Sequence, residues 1–148
     1  ADSDHADDYA RLNAQWEERE RRLDDDIADI RESAASMPYA ATESVAAYLF
    51  EDLGMEDVTP QGYLQAVSNE GEPGPADLRR FVDLLEAGEA RLLVANSQHG
   101  DAAGGRLTDA AHAANVPVMQ VEEQMPEGCD DVIAWMETLL GGIRDLLG

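Results

Sequence analysis

The chain has 148 residues, enough for one domain with its own hydrophobic core. Its formal net charge is −22 and all ten basic residues are arginines, which argues against a nucleic-acid partner because phosphate binding needs a basic face. Cys129 is the single cysteine, which excludes an intrachain disulfide and a C-x-x-C metal site. No apolar run approaches the ~18 residues of a membrane span, and the acidic opening ADSDHADDYARL does not resemble a signal peptide.

The first predicted element is one long helix over residues 6–34. Its apolar residues recur at spacings of three, four and seven, which predicts a single apolar stripe along a helix; they are Tyr9, Leu12, Trp16, Leu23, Ile27 and Ile30. The other faces are charged, as in EERERRLDDD, and Pro38 ends the pattern.

Short apolar runs then alternate with helical patterns. We predict a strand over 38–41, a helix over 43–54 closed by Gly54, an extended or irregular stretch over 58–67, a helix starting near Pro75, a strand over 91–95, a helix over 105–114, a strand over 117–121 and a helix over 129–147. Continuous apolar strands separated by helices indicate a sheet covered on both faces. The predicted fold class is α/β, with a four-stranded, mainly parallel sheet flanked by helices.

Polar side chains follow three of these strands. Glu43 follows the first, the segment NSQHG follows the second, and Glu122 and Glu123 follow the third. Ligands of open α/β sheets bind at the carboxyl ends of the strands, and carboxylates there suit a divalent cation or proton chemistry. No nucleophile–base order or glycine-rich phosphate motif occurs, so an enzyme is not expected.

Structural readings of the same residues stay open at this point. Thr42 suits a helix N-cap and Glu43 suits the first helical turn, where the helix dipole favours a carboxylate. Asn96 and Gln98 are expected to hydrogen-bond loop backbone rather than to contact a ligand.

Four stretches together resemble a known family. They are ATESVAAYLFEDLG, NEGEPGPADL, LLVANSQHGD and VPVMQVEEQMPEGCDDVIAWM, and their order and spacing over residues 36–148 resemble the C-terminal lobe of zinc- and manganese-type substrate-binding proteins of ABC transporters (cluster A-I, the adhesin and zinc-uptake family). The last two stretches are similar to the NxQ strand end and the VTET-x-PxG…WM run of the actinobacterial-type branch.

The resemblance implies a metal held between two α/β lobes, with two ligands, usually histidines, from the N-terminal lobe and two from the C-terminal lobe. Carried over, Glu43 takes the third ligand position and Glu123 the fourth, while Glu122 and His99 are further candidates. Glu122 stands where the family usually has threonine. The implied function is an extracytoplasmic receptor, periplasmic or lipid-anchored at the cell surface, that delivers Zn²⁺ or Mn²⁺ to an ABC permease.

The resemblance also implies a division of the chain. Residues 1–35 resemble the backbone helix that joins the two lobes, and residues 36–148 resemble the C-terminal metal-binding lobe. No histidine-bearing strand end occurs before residue 36, so we expect this chain to lack the N-terminal lobe. Tyr9, Leu12 and Trp16, here called the N-terminal apolar face, should then be exposed or should mediate self-association. The alternative function is a protein-interaction module derived from such a lobe that binds no metal.

Overall fold

The structure, a computed structural model, describes residues 5–96 and 102–148. The elements in chain order are α1 (Ala6–Ala34), β1 (Pro38–Ala41), α2 (Ala47–Asp52), β2 (Glu56–Asp57), α3 (Gln61–Ser68), α4 (Pro75–Glu86), β3 (Leu92–Asn96), α5 (Ala102–Ala113), β4 (Val118–Val121) and α6 (Val132–Leu147). The predicted α/β class and the long first helix are both confirmed.

The four strands form one fully parallel sheet in the order β2-β1-β3-β4. Ala41 of β1 lies opposite Val94 of β3, and Asn96 of β3 lies opposite Val121 of β4. The fourth strand that completes the predicted sheet is the short edge strand β2, which pairs with β1.

Each face of the sheet carries its own apolar core, as alternating side chains of buried parallel strands require. One core joins α1, α2 and α6 to the sheet, with Phe50, Leu140 and Ile143 among its buried members. The other joins α3, α4 and α5, with Tyr63 and Phe81 at its centre. Helices therefore cover both faces, and the carboxyl ends of the strands are left for a ligand site.

Helix α1 packs on this lobe through its second half. Ile30 and Ala34 are buried, whereas Tyr9, Leu12 and Trp16 are 58%, 52% and 38% exposed. The predicted exposure of the N-terminal apolar face is thus confirmed for the single chain.

Two ion pairs fix α1 to α6. The two terminal guanidinium nitrogens of Arg19, Nη1 and Nη2, each donate to one oxygen of the Asp131 carboxylate, the second of them at 2.9 Å. Arg144 contacts Asp26 at 2.8 Å. The Arg19 hydrogen bonds, helped by the Ala134 N–H, lower the pKa of Asp131 to about 2. Asp131 also caps α6, because its side chain accepts a hydrogen bond from that N–H at 2.9 Å, and this cap makes α6 begin at 132 rather than at the predicted 129.

Three other predicted boundaries were wrong. The stretch predicted as extended over 58–67 contains α3, which forms because Tyr63 buries its ring against Phe81 of α4. Helix α5 begins at Ala102 rather than 105, because its buried Leu107 and Ala111 outweigh the low helix propensity of two glycines in its first turn. Helix α2 begins at Ala47 rather than 43. It ends at Asp52, and Gly54 follows with a φ of +68°, as expected of the predicted helix stop.

Within the described residues, no helix is both long enough and apolar enough to cross a membrane.

Candidate metal centre

The strand order produces a crevice between β1 and β3. From β1 the chain passes to β2 on one side and then returns to β3 on the other side, so the connections leave these two neighbours in opposite directions. Such a reversal point is where open α/β sheets bind ligands. Glu43 follows β1 by two residues and Asn96 is the last residue of β3, which places both at this crevice.

Asn96 connects two carboxylates. Its side-chain nitrogen donates to Oε2 of Glu43 at 2.8 Å and to Oε1 of Glu123 at 3.0 Å. A side-chain amide nitrogen carries two N–H groups, so it can donate to both carboxylates at once. Two like charges are therefore held together around one neutral donor group.

The backbone of this junction is fixed by hydrogen bonds. The Thr42 N–H donates to the Val94 carbonyl at 2.9 Å, and the Asn96 N–H donates to Oγ1 of Thr42 at 3.1 Å. Thr42 and Asn96 are both buried, at 5% and 8% exposed. Pairing between β1 and β3 thus continues beyond the end of β1 and sets the position of Glu43.

This geometry contradicts the helix-capping reading of the same residues. Thr42 accepts from Asn96 instead of capping α2, whose N-cap Ala46 has no side-chain cap, and Glu43 lies outside the first turn of α2. The expectation that Asn96 hydrogen-bonds loop backbone did not include its two carboxylate partners. Gln98, which shared that expectation, lies outside the described residues. The signal that could have revealed this role is the position of an asparagine at the end of a buried strand, between two strands that are each followed by glutamate.

Glu43 and Glu123 line a common cavity of about 400 Å³. Its apolar wall comes from α3, through Leu64 and Val67. Glu122 and Glu123 both line a second cavity of about 280 Å³ between α2 and α6, which is walled mainly by apolar side chains including Trp135. Glu123 therefore belongs to both cavities, and it is the residue of the Glu122–Glu123 pair that shares a cavity with Glu43.

The remaining candidate, His99, lies outside the described residues. Of the other two histidines, His5 is exposed at the start of α1 and His112 is exposed on α5. Among the described residues, no group of three histidine, cysteine, aspartate or glutamate side chains could hold a metal ion. The described part of the chain thus brings together a pair of carboxylates, which suits the partial coordination of a divalent cation.

Comparison with protein families agrees with this architecture. Residues 1–145 match the model of a family described as ZnuA, zinc-uptake complex component A, periplasmic. The chain belongs to this family. Zinc-uptake component A proteins are components of an uptake complex rather than enzymes. Among curated protein sequences, none gives a significant match to the chain.

Solved structures show the same fold at low sequence identity. The laminin-binding protein Lbp of Streptococcus pyogenes is 15% identical with a TM-score of 0.70, and the match covers 99% of this chain and 55% of that one. The manganese complex of FpvC from Pseudomonas aeruginosa is 17% identical with a TM-score of 0.63 and coverages of 99% and 52%. The periplasmic zinc-binding protein TroA from Treponema pallidum is 14% identical with a TM-score of 0.64 and coverages of 97% and 52%. The chain therefore spans about half the length of these proteins.

Proposed function

We propose that this chain is the metal-binding lobe of an extracytoplasmic receptor that captures Zn²⁺ or Mn²⁺ and delivers it to an ABC permease. Residues 36–148 would form the C-terminal lobe and residues 1–35 the helix that joins it to a second lobe. The observation that carries the proposal is the pairing of Glu43 with Glu123 on Asn96 at the β1/β3 crevice. Family membership supports the same function.

The number of ligands predicts weak binding by this chain alone. Glu43 and Glu123 supply two oxygen ligands, whereas Zn²⁺ takes four ligands and readily uses imidazole. The other ligands would come from the opposite lobe. We therefore expect a dissociation constant no tighter than about 10 μM, which corresponds to roughly −7 kcal/mol.

Titration calorimetry with Zn²⁺ and Mn²⁺ tests the proposal. Glu43→Gln and Glu123→Gln keep the shape of each side chain and a carbonyl oxygen for the Asn96 amide, but remove the charge that a cation needs. Each substitution should weaken binding by tenfold or more, in this chain and in a two-lobed protein that contains it. The proposed ligand pair is wrong if both variants keep the wild-type affinity.

A chain with a charge of −22 also attracts cations without a site. The matched control removes the same charge elsewhere, through Glu86→Gln or Glu89→Gln. Glu86 is the last residue of α4 and Glu89 follows the helix, and both are exposed. At about 0.15 M salt, where exposed charges are screened beyond about 8 Å, these controls should bind metal as the wild type does. Equal losses in controls and site variants would indicate a diffuse ion atmosphere.

A second candidate function is a protein-interaction module that binds no metal. It is favoured by exposed apolar side chains, namely the N-terminal apolar face and Tyr48, which is 85% exposed on α2. Metal content of a two-lobed protein separates the two functions. A tightly held stoichiometric metal supports the receptor, and a metal-free protein that fails to bind Zn²⁺ or Mn²⁺ supports the module.

A further inference from the structure

We propose that the cavity between α2 and α6 (the α2–α6 cavity) is a docking site for a basic segment of a partner protein. The segment inserts an apolar side chain into the cavity and places cationic side chains around its mouth. The proposal goes beyond the proposed function, because it concerns the binding of a protein segment and holds whether or not the chain binds metal.

The size and the walls of the cavity indicate what can enter it. Its volume is about 280 Å³, and apolar side chains of α2, β4 and α6 line most of it, among them Leu49, Val121 and Trp135. Pockets that bury a drug-sized molecule have volumes of about 300–1,000 Å³. The α2–α6 cavity lies just below this range, so it suits one or two apolar side chains of a partner.

Two large apolar side chains at the cavity stay exposed to solvent. Tyr48 is 85% exposed and Val132 is 51% exposed, and both line the cavity. Tyr48 lies on α2 and Val132 is the first residue of α6, so each helix contributes one exposed apolar residue. Aromatic residues are enriched at protein interfaces, and exposed apolar patches commonly mark interaction sites. A protein segment that covers both side chains would remove this apolar surface from water.

The charge of the surrounding elements selects the chemistry of the partner. Residues 42–54 and 121–137 frame the cavity, and they contain nine Asp and Glu residues but no Arg, Lys or His. These 30 residues carry −9 of the net charge of −22, whereas the other 118 residues carry −13. The charge per residue is therefore nearly three times as negative in this frame as in the rest of the chain.

Such a frame disfavours anionic partners and favours cationic ones. Like charges repel nucleic acids and anionic lipid surfaces, and they also oppose a second copy of this acidic chain. A segment that carries Arg or Lys beside an apolar residue complements both the frame and the cavity. Its cations would speed the encounter and set specificity, and its buried apolar side chain would supply most of the affinity.

Three capped tripeptides test this chemistry by NMR at about 0.1 M salt, where the Debye length is about 10 Å. Ac-Arg-Phe-Arg-NH₂ carries the anchor and the charge, Ac-Arg-Ala-Arg-NH₂ lacks the anchor, and Ac-Glu-Phe-Glu-NH₂ reverses the charge. The first should shift the indole N–H signal of Trp135 with a dissociation constant of about 1 mM or tighter. The other two should bind at least about fivefold more weakly. Trp16→Phe leaves Trp135 as the single tryptophan and assigns its signal. Absence of a shift with the first peptide, or equal binding of all three, overturns the proposal.

Substitutions at the exposed rim locate the binding site. Tyr48→Ala and Val132→Ser should each weaken the binding of Ac-Arg-Phe-Arg-NH₂ by about threefold or more. The matched control is Tyr9→Ala, which truncates an exposed aromatic side chain on α1 and should leave the affinity unchanged. An equal loss in Tyr9→Ala and Tyr48→Ala would mean that the peptide binds exposed rings without preference, which overturns the proposal.

Charge removal tests the acidic frame separately. Glu51→Gln and Glu127→Gln replace exposed carboxylates of the frame, and Glu86→Gln and Glu89→Gln replace exposed carboxylates outside it. Each frame variant should weaken the same peptide by about twofold, the size expected of one exposed charge, and the outside variants should not. Equal affinities in all four variants would overturn the selection of a basic partner.

Two other occupants of the cavity give different results. If a second copy occupied it, Tyr48→Ala would abolish self-association of the chain in sedimentation. If the second lobe of a two-lobed protein occupied it, Ac-Arg-Phe-Arg-NH₂ would no longer shift the Trp135 signal in a metal-free protein that contains both lobes. We expect neither result, and either one overturns the assignment of this cavity to a basic partner segment.

Discussion

Replacement of Phe81 should be among the most destabilising substitutions in the second core, and it should also affect the candidate site. Phe81 is fully buried, and its ring meets Tyr63 edge to face, with centroids 4.8 Å apart and planes at 85°. Loss of a buried phenylalanine side chain costs about 4 kcal/mol, since a cavity remains, and about 1 kcal/mol of that reflects the ring pair. Native domains have only about 5–15 kcal/mol of stability in total.

Urea unfolding followed by circular dichroism measures this effect. Phe81→Ala should lower the free energy of unfolding by about 4 kcal/mol, and Phe81→Leu, which keeps most of the apolar volume, by about 1–2 kcal/mol. Tyr48→Ala is the control, because that ring is 85% exposed and its removal should change stability by less than about 0.5 kcal/mol. A loss below about 1 kcal/mol in Phe81→Ala would refute the packing described for α3 and α4, and with it the apolar wall of the Glu43 cavity.

Three further predictions concern protons and association. Burial raises the pKa of Tyr39 from 10.0 to about 12. The stability that the neutral phenol contributes is therefore complete below pH 10 and is lost as the pH rises toward 12. In urea midpoints measured from pH 10 to pH 12, Tyr39→Phe should remove this loss. The pKa of Asp131 is lowered from 3.8 to about 2, so its contribution is present above pH 3.8 and is lost as the pH falls toward 2. Arg19→Met should raise that pKa, and acid unfolding should then begin at higher pH. Sedimentation over about a hundredfold range of concentration should show self-association that Trp16→Glu abolishes, and a wild-type chain that stays monomeric throughout would contradict this.

The sequence predicted the fold well where side chains alternate or recur regularly. The stripe that includes Ile27 and Ile30 predicted α1 with its observed bounds, and the apolar runs around Leu93 and Val118 predicted two of the strands. Helix α3 was missed because eight residues carry too little periodicity for a helix to be recognised. Its stability depends on Tyr63 meeting Phe81, a contact between residues 18 positions apart.

The candidate site was predictable in part. That Glu43 and Glu123 would meet at one edge of the sheet followed from parallel strands, whose carboxyl ends lie together. The position of Asn96 at the end of a buried strand was a signal for a role at this site, but its two hydrogen bonds to the carboxylates also depend on the register of β1, β3 and β4. A one-residue shift of register would turn these side chains to the opposite face of the sheet, and register is set by packing that local sequence patterns do not contain.

Strand β2 has a consequence for aggregation. The edge strand of a sheet presents unpaired backbone groups that can recruit a strand from another molecule. Here that edge has only two residues, Glu56 and Asp57, and both are exposed and acidic. Its shortness and its like charges oppose strand addition at this edge of the sheet, so any pairing between sheets of two copies would have to use the opposite edge, β4.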